Sequence, residues 1–327
     1  MDNINNNVGY FVFSLDTELA WGGLWNQLPK KTSRNGSAER KTILRLLDLM
    51  DEFGIVATWA ITGHLFYEKC EECEYCPIMV LKGKDVRFEQ IWGSQETMWY
   101  GADVVKMIHS RSCGHEIAFH GYTHRVFDSL TRDEARFEIQ EWLRLGKRKD
   151  LIPQTVIFPQ GRIDHLDIFE EAGFVCYRGK EIRHPALSFP LLGKVLNRIN
   201  LGLSFLTPQV FEVNPSPRKL INIPSSQWLF RTNRRIEMIL DFLNLPFLRF
   251  HQVIKAIEKA AKEKKVIHLW VHPHEFRTEK DFEKLRYVFI HYANLAKQGK
   301  LKSITMIDLA KQSLGTNNAY RAESEES

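Results

Sequence analysis

The chain has 327 residues, of which 44% are hydrophobic, and a formal net charge of +5. This hydrophobic fraction is ordinary for a globular protein, and so small a charge on so long a chain gives little support for nucleic-acid binding. The polar N-terminus lacks the basic start and apolar core of a signal peptide, and no apolar run is long enough to cross a bilayer. The sequence therefore predicts a cytoplasmic globular protein that does not bind nucleic acid.

Short apolar runs alternate with amphipathic helices, which is typical of β/α units around a parallel sheet or barrel. The first strand is predicted from Tyr10 to Leu15, a helix from about Ala38 to Phe53, and a second strand from Ile55 to Ile61. Residues 64–100 then form a long irregular insertion. An insertion of this length in a compact domain is usually functional or mobile.

The rest of the chain continues this alternation. The further predicted helices are a short one near 102–110, one opened by a capping box at Thr131, one from about Phe250 and a last long helix. The further predicted strands are one ending at Phe119 and those over 155–158, 174–177, 266–271 and near 303–306. We therefore predict one domain over residues 1–314 and a disordered polar tail over 315–327.

Residues 184–250 are less regular than the flanking parts of the chain. Basic and apolar residues are mixed at 190–194 and 243–249, a composition that is compatible with peripheral contact to a membrane surface. Packing of these residues against the barrel is the favoured interpretation.

The insertion contains a C-x2-C-x2-C run formed by Cys70, Cys73 and Cys76. This spacing is compatible with zinc, or with an iron–sulfur cluster that takes a fourth ligand such as Cys113. Three reduced thiols in a surface loop are the favoured interpretation, because an ordinary structural zinc site pairs two separated knuckles. His64, near the start of the insertion, is predicted to be structural.

Polar residues follow four of the predicted strands. These groups are Asp16 with Glu18, His120 with His124, residues 159–162, and His272 with His274. Because the carboxyl ends of parallel strands line one face of such a fold, we expect the four groups to form one site.

The motifs in which these groups occur resemble those of the polysaccharide deacetylase family, the NodB-homology fold of carbohydrate esterase family 4. They are Phe-Ser-Leu-Asp-Thr-Glu at 13–18, His-Gly-Tyr-Thr-His at 120–124, Phe-Pro-Gln-Gly at 158–161 and Leu-Trp-Val-His-Pro at 269–273, in the family's order. The resemblance implies an α/β fold, a distorted (β/α) barrel of about seven parallel strands. It also implies metal-dependent removal of an acetyl group from an N-acetylated sugar.

The resemblance assigns metal-binding roles to His120 and His124. It makes Asp16 the general base, because Asp16 matches the first Asp of the family's Asp-Asp motif. Thr17 replaces the second Asp, so Glu18 is the predicted metal-binding carboxylate, with Asp16 as the alternative ligand. His272 matches the family's late histidine and is the predicted general acid.

The third motif departs further from the family pattern. The family often carries an Arg two residues before the Pro, and this chain has Ile157 there, so Arg162 or Arg178 could take its place. The turn itself is kept, and a backbone N–H near Gln160 is a candidate oxyanion donor. The predicted substrate-binding residues are Trp21, Tyr122, Pro159, Gln160, Gly161 and Arg162. Trp21, Trp99 and Tyr100 fit either sugar stacking or the core.

The residue types fit amide hydrolysis on chemical grounds. A divalent metal polarises a carbonyl and lowers the pKa of bound water to about 7 in zinc enzymes. Two imidazoles and one carboxylate hold such an ion and leave positions open. Zinc is the predicted metal, and cobalt, nickel, manganese or iron also tolerate these ligands.

Three functions are compatible with the sequence. The first is deacetylation of an N-acetylated sugar, nucleotide- or lipid-linked, in surface-glycan biosynthesis, since residues 13–22 and 221–226 are similar to glycan-biosynthesis members of the family. The second is hydrolysis of a small cyclic amide or imide on the same fold. The third is a non-catalytic glycan-binding module, a hypothesis motivated by the absence of the family's second Asp and of its Arg. The oligomeric state stays open.

Overall fold

The computed structural model describes residues 8–24, 36–69, 73, 76, 78, 96–189, 193–194, 196, 200, 205–213, 219–230, 239, 242–243 and 250–314. The predicted tail over 315–327, Cys70, and most of the two segments considered for membrane contact lie outside these residues. In the described part of the chain, no helix is both long enough and apolar enough to cross a membrane.

Nine strands are described, and every ladder between them is parallel. They are β1 (Gly9–Thr17), β2 (Thr58–Ile61), β3 (Glu116–Phe119), β4 (Thr155–Val156), β5 (Cys176–Gly179), β6 (Ile221–Pro224), β7 (Gln227–Trp228), β8 (Val266–Val271) and β9 (Leu301–Ser303). The order across the sheet is β6-β5-β4-β3-β2-β1-β8-β7, with β9 paired to β1.

The sheet curls until its two ends are neighbours. β6 and β7 occupy opposite ends of the strand order, yet only Ser225 and Ser226 separate them in the chain. This confirms the predicted distorted (β/α) barrel of parallel strands. The sheet has eight strands in succession, one more than the seven or so that the resemblance implies. β7 escapes detection because two residues are too short to display an alternating pattern.

Helices and short 3₁₀ turns connect the strands. The helices are α1 (Trp21–Leu24), α2 (Ser37–Phe53), α3 (Ala102–His109), α4 (Arg132–Lys147), α5 (Leu166–Glu171), α6 (Phe250–Glu263), α7 (Glu279–Lys297) and α8 (306–314). The 3₁₀ turns are Gly63–Phe66, Glu96–Met98, Phe127–Ser129, Pro159–Gly161, Pro185–Leu187 and Pro273–Glu275.

Sequence signals account for the better-predicted helices. α2 buries Ile43, Leu46 and Met50 completely, as its 3.6-residue period predicts, and ends at Gly54, whose φ of 64° is left-handed. The predicted capping box of α4 is confirmed, because the Thr131 side chain and the N3 carboxylate each accept a backbone N–H.

Two strands extend further than predicted, and both extensions carry charge into the barrel. β1 runs to Thr17, so Asp16 lies inside the strand rather than after it. β5 is displaced towards the C-terminus and includes Arg178, which the predicted strand over 174–177 leaves outside. Burial of these two charged residues depends on a partner that local sequence does not reveal.

Candidate active site

The strand ends that carry polar residues are aligned in one layer. Thr17 of β1 is paired with Ile61 of β2, which is paired with Phe119 of β3. On the other side of β1, Leu15 is paired with Val271 of β8. The residues that follow these positions therefore emerge at the same end of the barrel, as the sequence predicts.

Glu18, His120 and His124 form a compact buried group. Oε2 of Glu18 lies 2.6 Å from Nε2 of His124 and 3.5 Å from Nε2 of His120. One ligand atom from each of the three residues lies within 4.8 Å of the others. Burial alone would raise the pKa of Glu18, but His124 and His120 outweigh burial and hold that pKa well below its usual value.

The tautomer of His120 suits metal binding. Its Nδ1 lies 2.7 Å from the carbonyl oxygen of Ile157, so Nδ1–H donates there and Nε2 keeps its lone pair. Nε2 is buried and has no hydrogen-bond partner among the described residues. A buried nitrogen lone pair beside a second imidazole and a carboxylate is a donor set that fits a divalent metal.

The turn that presents these histidines is built around Glu138 of α4. Its Oε2 accepts the backbone N–H groups of Tyr122 at 2.7 Å and Thr123 at 2.9 Å, and its Oε1 accepts the Thr123 hydroxyl. His124 itself has a left-handed φ of 60°. Glu138 is not among the predicted site residues, although a carboxylate in the apolar stripe of an amphipathic helix is a usable signal.

Asp16 is held by Arg178 of β5. Each carboxylate oxygen accepts a 2.7 Å hydrogen bond from the guanidinium, and both side chains are buried. Burial raises the pKa of Asp16, but Arg178, with smaller contributions from His120 and His272, lowers it below its usual value. Of the two arginines considered for the missing motif residue, Arg178 contacts Asp16, whereas Arg162 is exposed and paired with Asp128.

A second layer of hydrogen bonds supports Arg178. The guanidinium also donates to Oγ of Ser14 at 3.1 Å, and Ser14 lies 2.8 Å from Nε2 of His268. Nδ1 of His268 lies 3.0 Å from the carbonyl oxygen of Pro224. Burial, with Arg178 adding to it, lowers the pKa of His268 to about 3. His268 is therefore neutral, with Nδ1–H donating to Pro224 and Nε2 accepting the Ser14 hydroxyl.

His272 faces Asp16 across the site. Its Nε2 lies 3.9 Å from Oδ2 of Asp16, and its Nδ1 lies 3.5 Å from Oε1 of Glu275. Burial lowers the pKa of His272, but the carboxylates of Glu275, Glu18 and Asp16 outweigh burial and raise it to about 9. Oε1 of Glu275 is fixed in turn by the indole N–H of Trp228 at 2.6 Å.

These groups surround a cavity of about 390 Å³. Its wall includes Asp16, Glu18, His124 and His272, and it continues over Trp228 and Trp270, whose rings stack with centroids 5.2 Å apart. The predicted substrate-binding residues Gln160 and Gly161 also line it. Trp228 could not be placed beside Trp270 from the sequence, because it belongs to the unrecognised strand β7.

The other predicted substrate-binding side chains lie elsewhere. Trp21 is fully buried, and its indole N–H donates to the carbonyl oxygen of Trp99 at 2.9 Å. Tyr122 is 2% exposed, and its hydroxyl lies 3.4 Å from Sγ of Cys73. Both rings pack in the core, which is the alternative that the sequence left open for aromatic residues. Pro159 is also buried, and Arg162 faces solvent.

Three of the six described non-glycine residues with a left-handed φ lie at the cavity. Leu19, His124 and Gln160 are non-glycine residues with φ of 44°, 60° and 55°, and all three line the cavity wall. The N–H groups of Gly161 and Arg162 donate within the turn to Phe158 and Pro159. Gln160 N–H therefore stays the predicted oxyanion donor of this turn.

Comparison with known proteins gives similarity in structure but not in sequence. No family model and no curated protein matches the chain. A protein from Mycobacterium smegmatis assigned as a polysaccharide deacetylase has a TM-score of 0.56 at 14% identity, covering 97% of this chain and 94% of its own. A protein from Pseudomonas aeruginosa PAO1 with the same assignment has a TM-score of 0.54 at 13% identity, covering 93% and 90%.

The allantoinase PuuE is equally similar, with a TM-score of 0.56 at 15% identity, covering 94% of this chain and 91% of its own. The three similarities extend over nearly the whole of each chain, and identities this low are evidence of a shared fold alone. The chain therefore has the NodB-like fold of the polysaccharide deacetylases.

Proposed function

We propose that this chain is a metal-dependent hydrolase of carbon–nitrogen bonds that removes the acetyl group from an N-acetylated sugar. The observation that carries the proposal is the close approach of three units within one cavity. These units are the Glu18–His120–His124 group, the Asp16–Arg178 pair, and His272, whose Nε2 lies 3.9 Å from Asp16. They supply the ligand set, base and acid that amide hydrolysis needs.

In this proposal Glu18, His120 and His124 hold the metal. Asp16 is the less suitable ligand, because both of its oxygens already accept hydrogen bonds from Arg178. When bound, the metal polarises the amide carbonyl and lowers the pKa of water. Zinc is the proposed ion, and the same ligands also suit cobalt, nickel, manganese or iron.

Asp16 acts as the general base. Its lowered pKa keeps it ionised at neutral pH, and the two hydrogen bonds from Arg178 fix the plane of its carboxylate. It therefore accepts a proton from the attacking water in a defined direction. Arg178 weakens Asp16 as a base, so its contribution is orientation rather than basicity.

His272 acts as the general acid. The neighbouring carboxylates raise the pKa of His272 to about 9 against the effect of burial, so the imidazole is protonated at neutral pH. It can then deliver a proton to the leaving nitrogen from the side of the cavity that faces Asp16. The N–H of Gln160 is the proposed donor to the carbonyl oxygen of the substrate as negative charge develops on that oxygen.

The cavity volume of about 390 Å³ suits a small organic ligand such as a monosaccharide unit. The faces of Trp228 and Trp270 offer apolar surface of the kind that packs against a sugar ring. We propose a nucleotide- or lipid-linked sugar of surface-glycan biosynthesis as the substrate, on the similarity of residues 13–22 and 221–226 to such members of the family.

The test is acetate release from nucleotide- and lipid-linked N-acetyl sugars by protein of measured metal content. Release by the wild type, and its loss in His120→Ala, is the expected result. No release from any donor at full metal occupancy would overturn the proposal. If the wild type binds a glycan but no metal, and His120→Ala changes neither property, the chain is a non-catalytic glycan-binding module.

A second candidate function is hydrolysis of a small cyclic amide or imide. The similarity to PuuE, which equals the similarity to the Mycobacterium smegmatis protein, favours it. Ring amides need the same base, acid and metal, and differ in keeping the leaving nitrogen attached to the product. Turnover of a ring amide such as allantoin without acetate release from any sugar would support this function over deacetylation.

A further inference from the structure

A second group of soft metal-binding side chains lies outside the catalytic cavity. It consists of His64 from the 3₁₀ turn after β2 and of Cys73 and Cys76 from the insertion. One imidazole nitrogen and the two sulfur atoms lie within 4.8 Å of one another. His64 is fully buried, Cys76 is 5% exposed, and Cys73 is partly buried.

The imidazole of His64 interacts electrostatically with the thiol of Cys76, another member of this group. Neither Nδ1 nor Nε2 has a hydrogen-bond partner among the described residues. Aromatic rings surround the imidazole, with that of Trp21 4.4 Å away and those of Tyr67 and Tyr100 each 5.2 Å away between centroids. A fully buried imidazole with no hydrogen-bond partner for either nitrogen is unfavourable unless a ligand completes it.

We propose that His64, Cys73 and Cys76 bind a second metal ion, structural zinc, distinct from the catalytic metal. Thiolate and imidazole are the ligands of structural zinc sites, and the softness of sulfur selects zinc over magnesium, calcium or manganese. Cys70, the first cysteine of the same run, lies outside the described residues, and the proposal does not depend on it.

The structure opposes the alternative of an iron–sulfur cluster that includes Cys113. Sγ of Cys113 lies 3.2 Å from Nε2 of His115, in a separate group with Asp51. That separate group differs in its histidine, because Nδ1 of His115 accepts the backbone N–H of Ala57 and Nε2 lies against Cys113, and its Asp51 accepts from Arg111 at 2.6 Å. Cys113 therefore serves as a matched control cysteine.

The proposed site lies directly behind the catalytic ligands. The N–H groups of Gly63 and His64 donate to the carbonyl oxygens of Gly121 and Tyr122, at 2.8 and 2.9 Å, within the turn that presents the catalytic histidines. Trp21, which packs on His64, donates its backbone N–H to the carbonyl oxygen of Glu18. A metal bound by His64, Cys73 and Cys76 would thus link the insertion to the turn that presents the catalytic histidines and to Glu18.

Cobalt substitution separates the two sites, because the catalytic ligand set contains no sulfur. Reduced protein loaded with Co²⁺ is expected to show thiolate-to-cobalt charge-transfer absorption. This band should persist in His120→Ala, disappear in Cys73→Ser and Cys76→Ser, and be unchanged in Cys113→Ser. Metal analysis should give two equivalents of zinc for the wild type and one for each of His120→Ala and Cys76→Ser.

The proposal fails if reduced wild type shows no such band, or if the band is undiminished in Cys73→Ser and Cys76→Ser. Zinc X-ray absorption of the wild type provides a test that needs no variant, in case the serine variants do not fold. Sulfur neighbours at about 2.3 Å are expected, and nitrogen and oxygen neighbours alone would overturn the proposal. Neither readout depends on catalysis, so failure of this site and failure of the proposed function are distinguishable.

Discussion

Arg178 donates a 2.7 Å hydrogen bond to each carboxylate oxygen of Asp16, although the two residues are 162 positions apart in the chain. β1 and β5, which carry them, are not neighbours in the sheet, since three strands lie between them in the strand order. The pair therefore meets across the interior of the curled sheet. This buried contact fixes the proposed base against the opposite wall of the barrel.

Replacing Arg178 should reduce activity without removing the metal. Arg178→Lys keeps the charge but not the two-point contact, so Asp16 can rotate, and a misplaced base costs about 100-fold in kcat. Steady-state kinetics and metal analysis of the same preparation provide the measurement. Arg162→Ala, which removes an exposed arginine paired with Asp128, is the control and should retain wild-type kcat. Equal losses in the two variants would contradict the orienting role of Arg178.

The two carboxylates of the site should differ in what their loss removes. Glu18→Gln should lower metal content, because Glu18 is the carboxylate in contact with both histidines. Asp16→Asn should retain the metal and lose about 10²- to 10⁴-fold in kcat, the usual contribution of a general base. Metal analysis after dialysis distinguishes the two. Retention of the metal in Glu18→Gln together with its loss in Asp16→Asn would mean that Asp16 binds the metal and that Glu18 acts as the base.

The contribution of His272 should depend on the leaving group. Amide hydrolysis requires protonation of the leaving nitrogen, whereas an aryl acetate releases a phenolate that needs no proton. His272→Gln should therefore lower amide turnover by about 10²- to 10⁴-fold and change aryl-acetate turnover much less. The comparison of kcat for the two substrates is the measurement. Equal losses on both would argue that His272 acts in binding or orientation rather than as an acid.

His268 should make stability depend on pH. Its folded pKa of about 3 lies below the unfolded value of about 6.5, so between these pH values only the unfolded chain binds the proton. The free energy of unfolding should consequently fall as pH decreases from 7.5, by about 2 kcal/mol at pH 5 from this residue. Denaturant unfolding of the wild type and His268→Gln at both pH values measures it.

The drop between the two pH values should be about 2 kcal/mol smaller in His268→Gln than in the wild type. His109→Gln is the control, because His109 is an exposed histidine at the end of α3. An identical drop in the wild type and His268→Gln would mean that the folded protein protonates His268 at pH 5 as readily as the unfolded chain does, and that its hydrogen bonds to Ser14 and Pro224 do not hold the ring neutral.

The predictable part of the site follows from local pattern. His120 and His272 come directly after apolar runs, so their position at strand ends could be predicted from periodicity alone. Arg178 could not be assigned in this way, because its partner lies across the barrel and the strand that carries it was predicted to end one residue earlier. Its burial is stabilised by Asp16, and no feature of residues 174–180 indicates that partner.

The aromatic residues illustrate the opposite error. For Trp21 the sequence leaves sugar stacking and the core as alternatives, and the chain turns at Leu19 and directs the indole into the core towards Trp99. Trp228 is distant in sequence from every catalytic motif and lines the cavity. Sequence distance from a motif is therefore a poor guide to a cavity wall, whereas strand register is a good one.

The link between β6 and β7 consists of Ser225 and Ser226 alone, and Ser226 N–H donates to the carbonyl oxygen of His268 at 2.8 Å. Side chains alternate between the two faces of a strand, so one residue more or fewer at this link would reverse the faces presented by Gln227 and Trp228. Trp228 would then leave the cavity, and Glu275 would lose its indole donor. The length of this link therefore decides whether Trp228 faces the cavity, and the serines add contacts of their own, because Oγ of Ser226 accepts the backbone N–H of His268 at 3.1 Å and Ser225 lines the cavity.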